Sequence, residues 1–246
     1  MFCIDNRCTD VYFNLAVEEY LLKQTQGDYF VIWQSEPSVV MGKNQSVRAE
    51  VNEDYRIEKG IRLARRFSGG GAVYHDKGNI NLTFIETTSQ PLFEDYLQRI
   101  VGFLETMGVT AYTDERLGFY LDGKKISGSA QSIHKGRILH HATLLFSTDL
   151  YRLTTALKNT ERKPEKKEMK PAPFYVKSVR SPVTNICTYT RKAVSIGEFR
   201  DALLNYFTEN KTDTRPYSFT EDDLNAIRSL RDNKYATSAW NFNIRT

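Results

Sequence analysis

The chain has 246 residues and a formal net charge of +4, from 34 Lys and Arg against 30 Asp and Glu. This length predicts one large domain, residues 1–246, with a sizeable core. With 40% hydrophobic and 26% charged residues it fits an ordinary soluble globular protein and neither a disordered nor a fibrous one. No apolar run reaches bilayer-spanning length, and the opening MFCIDNRCTD lacks the basic start and apolar core of a secretory signal. Three cysteines, Cys3, Cys8 and Cys187, form no C-x-x-C pair, which predicts reduced thiols in a cytoplasm. The mild cationic excess leaves two readings open, a solvated surface or a basic face for an acidic partner. Nucleic acid is not expected, because the aromatic residues do not interleave with basic clusters.

In chain order, NLAVEEYLLKQT (14–25) predicts a first helix, with Leu15, Val17, Leu21 and Leu22 on an apolar side and Glu18, Glu19 and Lys23 on a polar one. The runs YFVIWQ, SVVMGK and IRLARRF read as strands, the last placing Arg65 and Arg66 on opposite faces. GAVYH and INLTFIE follow, joined by an Asp-Lys-Gly-Asn turn. A second helix is expected over PLFEDYLQRIVGFLETM, with Pro91 near its start and Gly108 past its end. Residues 118–147 read as a β-meander with turns at Asp122-Gly123 and Lys135-Gly136. A helix near DLYRLTTALK leads into a basic, proline-containing loop (158–170). Two late helices carry capping-box spacing, Ser195 to Glu198 and Thr220 to Asp223. The pattern predicts an α+β fold with a largely antiparallel sheet.

Three stretches carry candidate chemistry. In RRFSGGGAVYHD (65–76), bare backbone at Gly69, Gly70 and Gly71 lets amide groups approach an anion closely. The Gly-Lys-Ser/Thr of a P-loop is missing and a strand follows, so neither a P-loop nor a dinucleotide-binding turn fits; a bulged hairpin is the other reading. Only one of the two arginines is expected to reach a ligand, the other facing solvent or making a structural pair. In DGKKISGSAQ (122–131), Lys124 and Lys125 point opposite ways, and Ser127, Gly128, Ser129 and Ala130 leave room for one ammonium to meet a phosphate and a carbonyl oxygen; two solvated lysines on a twisted hairpin are the alternative. In HHATLLF (140–146), no metal-ligand spacing accompanies His140 and His141, and each reads as a hydrogen-bonded structural histidine.

Taken together with NLAVEE, VIWQSEPSVVMGKNQ, SVRSPVTN and SAWNFN, these stretches resemble the lipoate–protein ligase A family of the biotin/lipoate ligase superfamily, in the family's order and over nearly the whole chain. The resemblance implies a catalytic-domain fold with a large mixed sheet, a smaller sheet and flanking helices, and a bifurcated pocket. It also implies ATP and Mg²⁺ as cofactors and lipoate as substrate. Lipoyl-AMP forms first; the lipoyl group then passes to a lysine on a lipoyl domain of a 2-oxoacid dehydrogenase or on the glycine-cleavage H protein. On that basis Arg66 meets the nucleotide phosphate, and the backbone of Gly71, Ala72, Val73 and Tyr74 lines the ATP site. Lys125 is catalytic and lies between the lipoyl carbonyl and the phosphate. Trp33, Gly42, Gly70, Ser129, His141 and Ala142 wall the lipoyl tail, and His75 and Asn79 brace the glycine loop. The basic loop is expected to fold over the adenylate or to meet an acidic carrier.

Two departures stand out. Leu117-Gly118 replaces the family's Asn-Asp, whose acid helps hold Mg²⁺, leaving Asp114 or Glu115 as substitutes. No accessory domain is expected after the WNF segment, which leaves open a separate accessory polypeptide as a partner in activity. Three alternatives remain: an ATP-free lipoyl or octanoyl transferase with Cys187 as nucleophile, a transfer-only subunit, and a non-catalytic binder. A biotin ligase is disfavoured by the missing basic glycine-arginine loop.

Overall fold

The run Tyr29–Trp33 has no polar position, as befits a strand covered on both faces. In the computed structural model, which describes residues 1–88, 93–157, 175–209 and 214–242, all five of its residues are buried. In chain order the strands are β1 (Phe2–Asp5), β2 (Tyr29–Trp33), β3 (Ser38–Met41), β4 (Arg62–Arg65), β5 (Val73–His75), β6 (Asn79–Thr87), β7 (Tyr112–Thr113), β8 (Phe119–Leu121), β9 (Lys124–His134), β10 (Arg137–Leu145) and β11 (Arg215–Pro216). The helices are α1 (Val11–Lys23), α2 (Val47–Glu50), α3 (Glu53–Glu58), α4 (Phe93–Thr106), α5 (Leu150–Ala156), α6 (Ile196–Glu209), α7 (Glu221–Leu230) and α8 (Ser238–Phe242).

Among the described residues the large sheet runs β11-β1-β2-β6-β10-β9-β8-β7 and the small one β4-β3-β5. In the large sheet β1 pairs in parallel with β2 and β11, and the other neighbours are antiparallel. This is the mixed, mostly antiparallel α+β architecture that the sequence predicts. Phe30, Ile32, Leu82 and Phe84 cluster with α4 and α6, while Val31, Trp33 and Ile85 cluster with α1. Burying each such side chain fully contributes about 1.5–3 kcal/mol. The small sheet packs separately, Val39, Met41, Leu63 and Tyr74 meeting Leu145 and Leu153.

Element ends follow local chemistry. The first helix begins at Val11, earlier than expected, because the Asp10 carboxylate caps it by accepting from Tyr12 N–H. Both predicted capping boxes form, at Ser195/Glu198 and Thr220/Asp223. The helix expected from Pro91 is described from Phe93; Pro91 itself and the basic loop lie outside the described residues. Strands β1 and β7 and helices α2, α3 and α8 have no counterpart in the sequence reading, each being too short to show a period.

The expected polar face of α1 needs correction. Glu18 is 0% exposed and Glu19 6% exposed. Both are buried because each carboxylate is answered: Glu18 by Thr83 and His141, Glu19 by Lys23, Lys234 and Tyr235. Buried charge is tolerated when it is paired in this way.

Candidate active site

The two sheets meet around a cavity of about 320 Å³ that joins a second of about 220 Å³. The first is walled by Leu15, Trp33, Val40, His141 and Ala142, and the second by Tyr74, Leu145, Leu153, Arg180 and Val183. Ala72, Val73, Lys125, Gly128 and Ser178 line both, so the two are lobes of one cleft.

Lys125 stands at the junction. Lys124 beside it is exposed, as strand alternation requires. Its main chain is pinned, with Lys125 N–H donating to Pro182 O (2.7 Å) and Lys125 O accepting from Thr184 N–H (3.1 Å). Its side chain lies in a slot between two glycines. A Cβ added at Gly118 would sit 3.1 Å from Lys125 Cε, and one added at Gly128 would sit 3.7 Å from it. Burial lowers its pKa, with Asp114 opposing the shift and Arg116 adding to it.

The two arginines of β4 and its exit differ in use. Arg65 is 1% exposed, and its guanidinium donates to the carbonyls of Gly42, Gln45, Trp240 and Asn241 at 2.8–3.2 Å. It clasps α8 to the loop after β3, which explains the terminal SAWNFN motif. It therefore takes the structural alternative, with carbonyls as its partners. Arg66 lines the first lobe. It donates to Val40 O (3.2 Å), Gly69 O (2.6 Å) and Gly71 O (2.8 Å), and through Nε to Ser68 Oγ (3.1 Å). Burial brings its pKa down to about 10, so it stays a cation at neutral pH. In a planar trans peptide the N–H points opposite to the C=O. Arg66 thus turns two carbonyls toward itself and the N–H groups of Gly70 and Ala72 away. Gly70 has φ +88, and a Cβ there would meet Arg66 Nη2 at 2.9 Å.

Behind the apolar lobe runs a closed polar chain. Trp33 Nε1 donates to Thr83 Oγ1 (3.1 Å), which donates to Glu18 (2.6 Å). Glu18 also accepts from His141 Nδ1 (3.0 Å), which leaves His141 Nε2 as acceptor for the Ser68 hydroxyl (3.0 Å). Ser68 in turn receives Arg66 Nε. Glu18, Ser68 and Thr83 were missed by the sequence reading. His140 is structural as expected: it stacks on Tyr96 (4.9 Å between centroids) and burial pushes its pKa down to about 3.

Several expected site residues sit elsewhere. Gly42 does not line either lobe. A Cβ there would lie 2.0 Å from Gly70 O, so it supports the glycine loop from behind. Asn79 also stays outside and ties the turn, accepting from Asp76 N–H (2.9 Å) and donating to Tyr74 O (2.9 Å). His75 faces the first lobe and bonds Thr143 Oγ1 (3.1 Å) on β10; burial, Arg66 and His141 push its pKa down to about 3. None of Cys3, Cys8 and Cys187 lines either lobe, and burial raises the Cys187 thiol pKa, the opposite of an activated nucleophile.

The described residues do not form a carboxylate cage for Mg²⁺. Asp114 Oδ1 accepts from the N–H groups of Arg116 (3.1 Å) and Gly118 (2.8 Å), and Oδ2 from Tyr120 OH (2.9 Å). Burial opposes its charge, yet these donors outweigh it and hold the pKa below the usual range. Glu50, a carboxylate in the second lobe, accepts from Ser178 N–H (3.0 Å). Among the described residues no group of three metal-type ligands occurs.

The family model described as the lipoyl protein ligase A/B catalytic domain matches residues 10–208, and the chain belongs to that family. It is 37% identical to the Bacillus subtilis lipoate-protein ligase LplJ over 250 residues, spanning 98% of this chain and 73% of the relative. Among solved structures, a lipoate protein ligase candidate from Thermoplasma acidophilum with bound lipoic acid superposes with a TM-score of 0.80 at 28% identity, covering 98% of both chains. A lipoate-protein ligase A bound with ATP gives 0.81 at 28% identity, covering 99% of this chain and 98% of that one. A bi-partite lipoate protein ligase from Thermoplasma acidophilum, analysed together with its E2 lipoyl domain, gives 0.81 at 28% identity, covering 100% and 96%.

Proposed function

We propose that this chain is a lipoate–protein ligase that activates lipoate with ATP and passes the lipoyl group to a lysine of a carrier domain. The observation that carries this reading is the junction: a lobe walled by Leu15, Trp33, Val40 and Ala142 and a second lobe of about 220 Å³ meet at one partly buried lysine, Lys125, with Arg66 on the same cleft. The apolar lobe suits an acyl tail. The ATP-bound and lipoic-acid-bound relatives support the pairing of the two ligands.

In the first step the lipoate carboxylate oxygen attacks the α-phosphorus of ATP and the bond to the bridging oxygen breaks, releasing pyrophosphate. Lys125 meets the charge growing on the phosphate oxygens. In the second step the carrier's neutral lysine amine attacks the acyl carbonyl, AMP leaves with the electron pair of the broken C–O bond, and the amine's surplus proton passes to solvent. Lys125 now stabilises the carbonyl oxygen. Of the two N–H groups that Arg66 turns outward, that of Ala72 goes to Ser178 Oγ (2.9 Å), and that of Gly70 is left as a main-chain donor on the same loop. Among the described residues no carboxylate set fits Mg²⁺, so neither step is routed through it. The acceptor is a lipoyl domain or an H protein, a choice supported in kind by the relative analysed with its E2 lipoyl domain. A cytoplasmic site of action and an accessory polypeptide that assists adenylation complete the reading, with residues 1–246 as one catalytic domain.

Incubating the chain with lipoate, Mg-ATP and an apo lipoyl domain, then weighing the domain intact, tests this. The expected result is an ATP-dependent lipoyl increment on the domain. An increment that appears from an acyl-carrier donor without ATP contradicts it.

A further inference from the structure

The segment 175–184 crosses the cleft mouth as a strap, and most of its anchors are main-chain groups. Val176 N–H donates to Asn44 O (2.9 Å), Ser178 N–H to Glu50 Oε1 (3.0 Å) and Thr184 N–H to Lys125 O (3.1 Å). Ser178 is different, because its hydroxyl is also held. Its Oγ accepts from Ala72 N–H at 2.9 Å and from Gln45 Nε2 at 2.9 Å. The Gln45 amide orientation is itself fixed, since Oε1 accepts from Gly42 N–H (2.9 Å) and Nε2 also donates to Val176 O (3.3 Å).

A serine oxygen has two lone pairs and one hydrogen. Two N–H donors occupy both pairs, so the remaining hydrogen can only be given away. No described residue accepts it, and Ser178 lines both lobes, as Lys125 does. The hydroxyl is thus a donor whose direction is set before any ligand arrives. Fixed donors of this kind are the ones that stabilise developing negative charge without reorganising. Arg66 contributes indirectly, because it turns the Ala72 N–H toward the strap.

We propose that Ser178 is a catalytic residue, donating its hydroxyl hydrogen to an oxygen of the acyl-phosphate linkage at the lobe junction, with Gln45 as the positioning residue that aims it. The proposal rests on the ligase reading and deepens it. No covalent bond forms to Ser178 and it keeps its proton throughout.

The test compares wild type, Ser178→Ala and Gln45→Leu in two ways. Calorimetry gives affinities for lipoate and for a non-hydrolysable acyl-sulfamoyl adenosine, and single-turnover mixing gives the rate of lipoyl-AMP formation. The strap keeps its main-chain anchors in Ser178→Ala, so the fold should persist, with a melting temperature a few degrees lower because Ala72 N–H and Gln45 Nε2 lose an acceptor. Ser178→Ala should bind lipoate as wild type does, lose roughly 10- to 100-fold in affinity for the sulfamoyl compound, and lose about 100-fold in rate. Gln45→Leu should fall between the two with lipoate affinity unchanged. A Ser178→Ala rate within twofold of an active wild type overturns the inference and leaves the ligase reading standing. Equal weakening of lipoate and the sulfamoyl compound also overturns it, by showing that the strap merely needs its serine. If wild type forms no lipoyl-AMP, the ligase reading fails, and the binding arm alone decides for or against Ser178.

Discussion

The two lobes of the cleft use polar atoms in opposite ways. Behind the first lobe, Trp33, Thr83, Glu18, His141, Ser68 and Arg66 form a chain in which each group is answered by the next. The polar groups of this chain face one another, and Leu15, Trp33, Val40 and Ala142 present apolar surface to the lobe, with Lys125 and Ser178 at its junction end. At the junction and in the second lobe, Lys125, Ser178 and Arg180 face open space. The difference teaches how one cleft sorts a substrate with an oily tail from its charged head. Polar groups that satisfy one another recede into the scaffold, while those left unanswered are the ones the proposed mechanism uses.

Disabling the open side should cost most. Lys125→Ala is expected to slow lipoyl-AMP formation by about 10²–10³-fold while leaving the melting temperature near wild type, because the side chain lies in a slot that other residues form. A normal rate in that variant would remove Lys125 from the mechanism. Breaking the closed side should act on stability instead. Glu18→Ala leaves Thr83 OH and His141 Nδ1–H without an acceptor, and denaturant titration should show a loss of roughly 1–3 kcal/mol. An unchanged midpoint would mean that the chain behind the lobe is loose.

Gly42→Ala probes the support between the two sides. A methyl 2.0 Å from Gly70 O must push the glycine loop, with a cost of about 1–3 kcal/mol and a higher KM for ATP. An unaltered KM would show that the loop position does not matter to the nucleotide. The buried histidines sharpen the comparison through pH. His75 and His140, pushed down to about 3 from 6.5 chiefly by burial, stay neutral when folded and take up protons when unfolded in that window. The unfolded state then binds more protons, so their contribution to stability is lost as pH falls below 6.5, by up to about 1.4 kcal/mol per pH unit each. His140→Phe, which keeps the stack on Tyr96, should flatten the acid side of the stability profile by about one proton, read from melts between pH 4 and pH 7. No change in slope would mean that His140 titrates normally.

Much of the open side was legible in the sequence, because a cation among small residues is a residue type that suggests anion chemistry. A lysine among small residues pointed to the junction, and an arginine before three glycines to the loop beside it, and both side chains line the cleft. The closed side was not legible. Glu18 reads as a surface charge on a helix until β6 and β10 bring Thr83 and His141 against it. Gly42 reads as a wall residue until the small sheet folds the glycine loop onto its backbone. Ser178 is one serine among many, and only the meeting of three distant segments leaves its hydrogen unclaimed. No helix among the described residues is long and apolar enough to cross a membrane, as the absence of a long apolar run predicts.

The most direct test of the two-lobe account is a crystal structure with an acyl-sulfamoyl adenosine bound. The account predicts the acyl chain against Trp33 and Ala142, the adenosine in the second lobe, and Lys125 Nζ within about 3 Å of an oxygen at the linkage. A linkage held away from Lys125, or an acyl chain lying outside the first lobe, would contradict it.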